Sequence, residues 1–204
     1  LKQKFQEKSA ALKAEMRALL KEHGNTKVDE VKLAQVFGGM RGVKSMIWEP
    51  SQLDPIEGIR FRGYSIPELR ELLPKMPGGK EPLPEALFWL MLVGEIPTIE
   101  QTKWLMDQWI SRSVVPEHTF KVLDSLPADT HPMTQFSTAI VSMQTGSVFS
   151  ARYAEGMRKS DYWDATYEDT MNLIARLPRV AAYIYRRTYH NGKHIAPDIS
   201  LDWG

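Results

Sequence analysis

The sequence predicts an all-α, mainly helical fold with one small β-hairpin near residues 45–62. Three observations carry that expectation. Apolar residues recur at helical spacing through most of the 204 residues, between residues that start and stop helices. The run Ala86 to Val93 is apolar on every side, as a helix buried all round would be. A single stretch, Phe37 to Tyr64, interrupts this pattern with glycines, arginines, prolines and short β-like runs.

The elements follow in order. Residues 1–23 predict an amphipathic helix, because Phe5, Leu12 and Leu19 fall on one side with Met16 and Leu20, and Gly24 supplies a stop. Its apolar stripe is too short for a stable coiled coil, so the helix is expected to pack onto its own domain. Residues 25–36 form a connector with a strand or turn. In Gly38-Gly39-Met40-Arg41-Gly42 the missing Cβ atoms let the backbone take positive φ around one guanidinium. Residues 45–49 and 59–62 read as two strands separated by turn formers, with Ile59 and Phe61 facing inward and Arg60 and Arg62 offering two cations outward.

Ser65-Ile-Pro-Glu68 is a capping box for a short helix to about Leu73. Leu83-Pro84-Glu85 opens the apolar helix that runs to Val93 before Gly94. Thr98 with Gln101 starts a helix carrying Trp104, Leu105 and Trp109 to about Ser113, and Pro116 opens another that ends near Leu126. His131-Pro132 precedes a helix to about Thr145. It sets Phe136, Ile140 and Met143 on one side and the small residues Ser137, Thr138, Ala139 and Ser142 along others, where a second helix can approach closely. Residues 149–159 read as a helix or pair of turns and 162–177 as a helix. Pro178 then starts a last helix ending near Tyr189, after which the chain carries no capping signal. No repeat, low-complexity stretch or flexible linker marks a domain boundary.

Composition narrows the function classes. Twenty-six basic residues against 25 acidic ones give a net charge of +1, no electrostatic footprint for nucleic acid or anionic lipid. The longest apolar run has eight residues, far below the roughly 20 that span a bilayer, so no membrane partner is expected. The absence of cysteine excludes disulfides, zinc thiolates and a cysteine nucleophile within this stretch. The Lys-rich first helix also carries Glu7, Glu15 and Glu22, unlike an acid-poor transit peptide, so any import sequence is expected to have been removed or never present.

Taken on residues alone, Arg41 reads either as a phosphate grip on a pliant loop or as a surface arginine in a turn. A nucleotide-binding P-loop is excluded, since that needs a lysine and a following helix. His190 and His194 are four apart, but Asn191-Gly192 breaks the helix between them and no third ligand completes a zinc set. His131 reads as a packed or capping residue. No hydrolase, metalloprotease, dinucleotide or Walker motif is present.

Several stretches in order, GGMRG, LDPIEGIRFRGYSIPE, EPLPEALFWL, HPMTQ, YWDATYED, ARLP and SLDWG, resemble citrate synthases of the mitochondrial type, and the likeness covers nearly the whole chain. The resemblance implies a multi-helix large domain of which residues 1–204 are the N-terminal part, without the small domain. It also implies condensation of acetyl-CoA with oxaloacetate and water to citrate and free coenzyme A in the full-length enzyme. The family's catalytic aspartate and histidines lie beyond the segment matching Gly204, so no catalytic residue is expected here and this stretch alone is expected to be inactive. Arg41 matches the arginine that contacts coenzyme A phosphates, and Lys159 matches a second basic contact that is arginine in the animal enzymes. Coenzyme A is then the acyl carrier, with no further cofactor and no metal. The resemblance further implies a homodimer through the helices at about 84–93 and 132–145, with Ala139 expected on the contact face, and residence in the mitochondrial matrix. Alternatives are a methylcitrate synthase using propionyl-CoA and a non-catalytic helical dimerisation or scaffold module.

Overall fold

The computed structural model describes residues 1–44, 50–198, 200, 201 and 203. It divides into two compact units, one of residues 1–82 with 86–98, the other of residues 83–85 with 99–204. The division passes through a helix, which is why no linker composition announces it.

In the first unit, α1 (Lys2–His23) forms as the periodicity predicts, yet it has no fully buried residue. Phe5, Ser9, Leu12 and Met16 are half-covered along one seam, while Leu19 and Leu20 stand exposed. Lys4 and Lys8 both reach Glu95, at 3.2 and 2.6 Å. The expected connector contains a short helix, α2 (Leu33–Phe37), held at its start by the Lys32 amide donating to Gln35 Oε1 at 2.8 Å.

The β element is a three-stranded antiparallel sheet ordered β1 (Ser51–Asp54), β2 (Gly58–Phe61), β3 (Tyr64–Ser65). Ser51 pairs with Phe61 and Asp54 with Gly58. The strand expected at residues 45–49 lies outside the described residues. Asp54 sets the β1–β2 turn, its Oδ1 accepting from the Ile56 and Glu57 amides at 2.8 and 2.7 Å. The two arginines of the second strand are not free cations. Arg60 bonds Gly63 O at 2.8 Å and pairs with Glu57, and Arg62 donates Nε and Nη2 to Met91 O at 2.9 and 2.6 Å. The second contact covers a terminal carbonyl of α4 (Pro84–Val93), where a helix leaves acceptors unsatisfied.

The capping box forms as read: the Glu68 amide donates to Ser65 Oγ at 3.4 Å, and the Ser65 amide donates to Glu68 Oε2 at 2.7 Å, opening α3 (Ile66–Leu72). Within the protomer residues 86–93 are not buried all round. Ala86, Trp89, Leu90 and Val93 are buried, but Met91 is 43% exposed, and Leu87, Phe88 and Leu92 are only half-covered.

The second unit holds α5 (Ile99–Arg112), α6 (Glu117–Ser125), α7 (Pro132–Ser142), α8 (Val148–Ala154) and α9 (Tyr162–Tyr189). A 3-10 turn, Met143–Gly146, continues the end of α7. Val115, Leu123, Ala139, Met143, Val180 and Ile184 form its core cluster. Ala139 is therefore inside the protomer, 0% exposed, and the expectation that it faces another chain is wrong. The exposed flank of α7 carries Met133, Ser137 and Val141.

Pro178 does not start a new helix: α9 runs through it for 28 residues. A proline at this point removes the amide that would bond the carbonyl four residues earlier, that of Ile174. Trp203 replaces that donor, its indole N–H reaching Ile174 O at 2.7 Å. The buried stripe of α9 adjusts at the same place, stepping by five from Ala175 to Val180 where the steps on either side, Met171 to Ala175 and Val180 to Ile184, are four.

Candidate functional site

The glycine-arginine loop follows directly on α2. Gly39 and Gly42 take φ of +73 and +74°, and Met40 between them is also left-handed at +63°. A non-glycine residue there carries strain of about 1 kcal/mol or more, which its surroundings must hold in place. Gln35 provides that hold: its backbone carbonyl accepts from the Met40 amide at 2.7 Å, and its side-chain amide donates to Gly42 O at 3.1 Å. Gly38 has ordinary φ, and a Cβ there would make a tight contact of 3.3 Å with Ala34 O. The loop is thus a fixed bend and Arg41 extends from it exposed, with no carboxylate in ion-pairing distance among the described residues. The signal for the hold, a glutamine three residues before Gly38-Gly39, carries no motif of its own.

Lys159 opens the 3-10 turn Lys159–Asp161 between α8 and α9, and it too is exposed. Its neighbours are engaged otherwise: Arg158 Nε pairs with Asp161 at 3.2 Å, and Arg152 with Asp164 at 2.6 Å. Arg152, Arg158 and Gly156 line an open cavity of about 320 Å³ that Lys159 does not line. Arg41 belongs to the first unit and Lys159 to the second. Each offers an exposed cation on a turn, able to bind an anion such as phosphate, Arg41 with two parallel donors and Lys159 as a point charge.

Several motif residues have structural duties invisible to sequence reading. Asp169 closes the start of α8, accepting from Ser147 Oγ at 2.6 Å and from the Val148 and Phe149 amides at 2.7 and 3.0 Å. Gln135 is fully buried, donating to Thr130 O at 2.7 Å and accepting from Arg187 at 3.1 Å. His131 caps α7 as expected, Nδ1 accepting from the Met133 amide at 3.2 Å. The histidine pair is not idle in solvent. His194 stacks on Tyr183 at 3.9 Å and 7°, and His190 lies 5.2 Å from Tyr185. Glu85 is 1% exposed and accepts from the Trp203 amide at 3.2 Å, while the Trp203 ring meets Trp109 at 5.9 Å. Among the described residues no helix is long and apolar enough to cross a membrane, and no group of three metal-ligating side chains converges.

Comparison with known proteins gives a consistent picture. Residues 39–204 match the family model described as citrate synthase, C-terminal domain. The mitochondrial citrate synthase of Saccharomyces cerevisiae is 50% identical over 204 residues, 100% of this chain and 43% of the relative. That of Xiphias gladius is 51% identical over 183 residues, 89% of this chain and 39% of the relative. The chain spans about two-fifths of the length of these relatives. Among solved structures, citrate synthase from Pyrobaculum aerophilum has a TM-score of 0.66 at 21% identity, over 87% of this chain and 42% of that one. Citrate synthase from Thermoplasma acidophilum, solved as a ternary complex with carboxymethyl coenzyme A and oxaloacetate, has a TM-score of 0.57 at 16% identity, over 80% of this chain and 37% of that one. At such identities the structural likeness speaks for the fold.

Proposed function

The chain belongs to the citrate synthase family, and from that premise we propose that it is part of an enzyme condensing acetyl-CoA with oxaloacetate and water to citrate and free coenzyme A. Its place is then the tricarboxylic acid cycle of the mitochondrial matrix. The observation that carries this reading is the 50% identity to a mitochondrial citrate synthase along all 204 residues.

On this reading residues 1–204 are the N-terminal part of the enzyme's large helical domain. Arg41 is a contact for coenzyme A phosphates, supported by its exposure and by the fixed bend that presents it. Lys159 is a second contact, weaker for lacking a bidentate fork. Coenzyme A serves as the acyl carrier and no additional cofactor is required. The catalytic proton transfers are assigned to residues outside this stretch. The enzyme is a homodimer through α4 and α7. Supporting that are the half-covered Phe88 and Leu92, the exposed Met91, and the Met133, Ser137 and Val141 flank, since apolar helix faces of this kind are covered by a partner in oligomers.

Arg41→Ala in the full-length enzyme tests the assignment. Removing a charge-assisted phosphate contact costs about 1.5–3 kcal/mol, which raises the KM for acetyl-CoA roughly ten- to hundredfold. The KM for oxaloacetate should hold. An unchanged acetyl-CoA KM in a folded variant removes Arg41 from the site.

A further inference from the structure

After α9 the chain turns back, and the stretch 194–197 encloses, with α6 and α9, a cavity of about 610 Å³. Neither Arg41 nor Lys159 lines it. Its walls carry Arg179, Arg186 and His194, two aromatic rings, Phe120 and Tyr183, and no acidic side chain. The carboxylate that touches this wall, Asp124, is already committed: both oxygens accept from Tyr183 Oη at 2.8 Å, and its Oδ1 lies 4.0 Å from Arg187 Nε. Burial, with Asp124 beside it, pushes the Tyr183 hydroxyl up to about 12, so it stays a donor to Asp124.

Arg179 is half-buried, and among the described residues no carboxylate pairs with it. Its guanidinium lies 5.8 Å from the centre of the Phe120 ring, which in turn packs on Tyr183 at 4.5 Å. That stack holds the side chain in place and leaves its N–H fork unspent. Asp198 shares a smaller neighbouring cavity of about 220 Å³ with Arg179, but its Oδ1 accepts from the Ser200 amide and hydroxyl at 2.9 and 2.7 Å. Arg186 gives Nε to Lys193 O, and among the described residues its terminal amino groups have no carboxylate partner. Two half-covered guanidinium groups beside a cavity without acidic side chains favour an anion there.

We propose that this cavity is a binding site for a multiply charged phosphate-bearing anion, held by Arg179 and Arg186 beside Phe120. Guanidinium forks match phosphate oxygens two at a time. The volume falls within the range of about 300–1,000 Å³ usual for small-molecule sites. The shared chemistry is the phosphate chain, carried either by an inorganic polyphosphate or by a nucleotide.

Calorimetric titration of the full-length protein with tripolyphosphate and with ATP tests the site. Both should bind and compete. Loss of one charge-assisted fork in Arg179→Ala should weaken both roughly ten- to hundredfold, and Arg41→Ala should leave this binding intact. ATP binding at least about tenfold tighter than tripolyphosphate identifies a nucleotide site, and equal affinities identify a site for the phosphate chain alone. Should Arg179→Ala fail to fold, Arg179→Lys decides: it keeps the charge and loses the fork, so weakened binding supports the site and unchanged binding overturns it. No saturable binding at millimolar ligand, or binding lost in Arg41→Ala and retained in Arg179→Ala, also overturns it.

Discussion

Trp203 should matter to stability through a single N–H, and a double-mutant cycle with Pro178 isolates it. In the native chain Pro178 leaves Ile174 O without its helical donor, and the Trp203 indole supplies one at 2.7 Å. Trp203→Phe keeps an aromatic ring against Trp109, whose centre is 5.9 Å away, while removing that donor. Leaving a partly buried carbonyl unsatisfied costs about 1–3 kcal/mol, and Ile174 is half-buried, so the lower part of that range applies. In a Pro178→Ala background the new amide at 178 bonds Ile174 O within the helix. The same Trp203→Phe change should then cost about 1 kcal/mol less, a coupling readable from four urea denaturation curves whose slopes stay constant. Equal Trp203→Phe penalties in both backgrounds would falsify the claim that the tryptophan substitutes for the missing amide.

Three further outcomes follow from other contacts. Val141→Glu on the exposed flank of α7 should yield a folded monomer in sedimentation equilibrium, whereas Ala139→Glu, at a site 0% exposed, should unfold the protein; a dimeric Val141→Glu would refute the interface. Asp169→Ala removes the acceptor for one hydroxyl and two amides at the start of α8 and should cost about 1–2 kcal/mol or more in thermal melts; a loss below half of that would show the cap is solvated. Asp54 is held below the usual carboxylate range by the amides of Glu57 and Ile56, and Glu68 by the Ser65 hydroxyl and amide. Folded-state values depressed in this way mean a contribution that is complete above the ordinary carboxylate range and lost as pH falls through the lowered values. Amide exchange in the β1–β2 turn and at the start of α3 should therefore accelerate on acidification, and a flat response would contradict the hydrogen bonds.

Much of this molecule was determined by sequence alone. The helix starts at Ser65 and His131 were legible because a cap is a local event, one side chain meeting an amide two or three residues away, and those at Pro84 and Pro116 because proline suits a helix start. The left-handed bend at Gly39 and Gly42 was legible for the same reason, and so was the family, whose motifs run along the chain in order. What the tertiary structure decided are the contacts between residues far apart in sequence. Local rules make Pro178 a break, and it remains inside a helix where Trp203, brought back by the fold, satisfies the carbonyl it orphans. Arg60 and Arg62 alternate like outward cations, yet their donors are taken by Gly63 O and Met91 O, acceptors that no strand pattern reveals. Ala139 looks like a contact residue because small side chains permit close approach to any helix. Only packing determines which one, and here it faces the protomer's own core with Val180 and Ile184. Periodicity specifies that a face is apolar, and the partner that covers it is chosen by the folded chain as a whole.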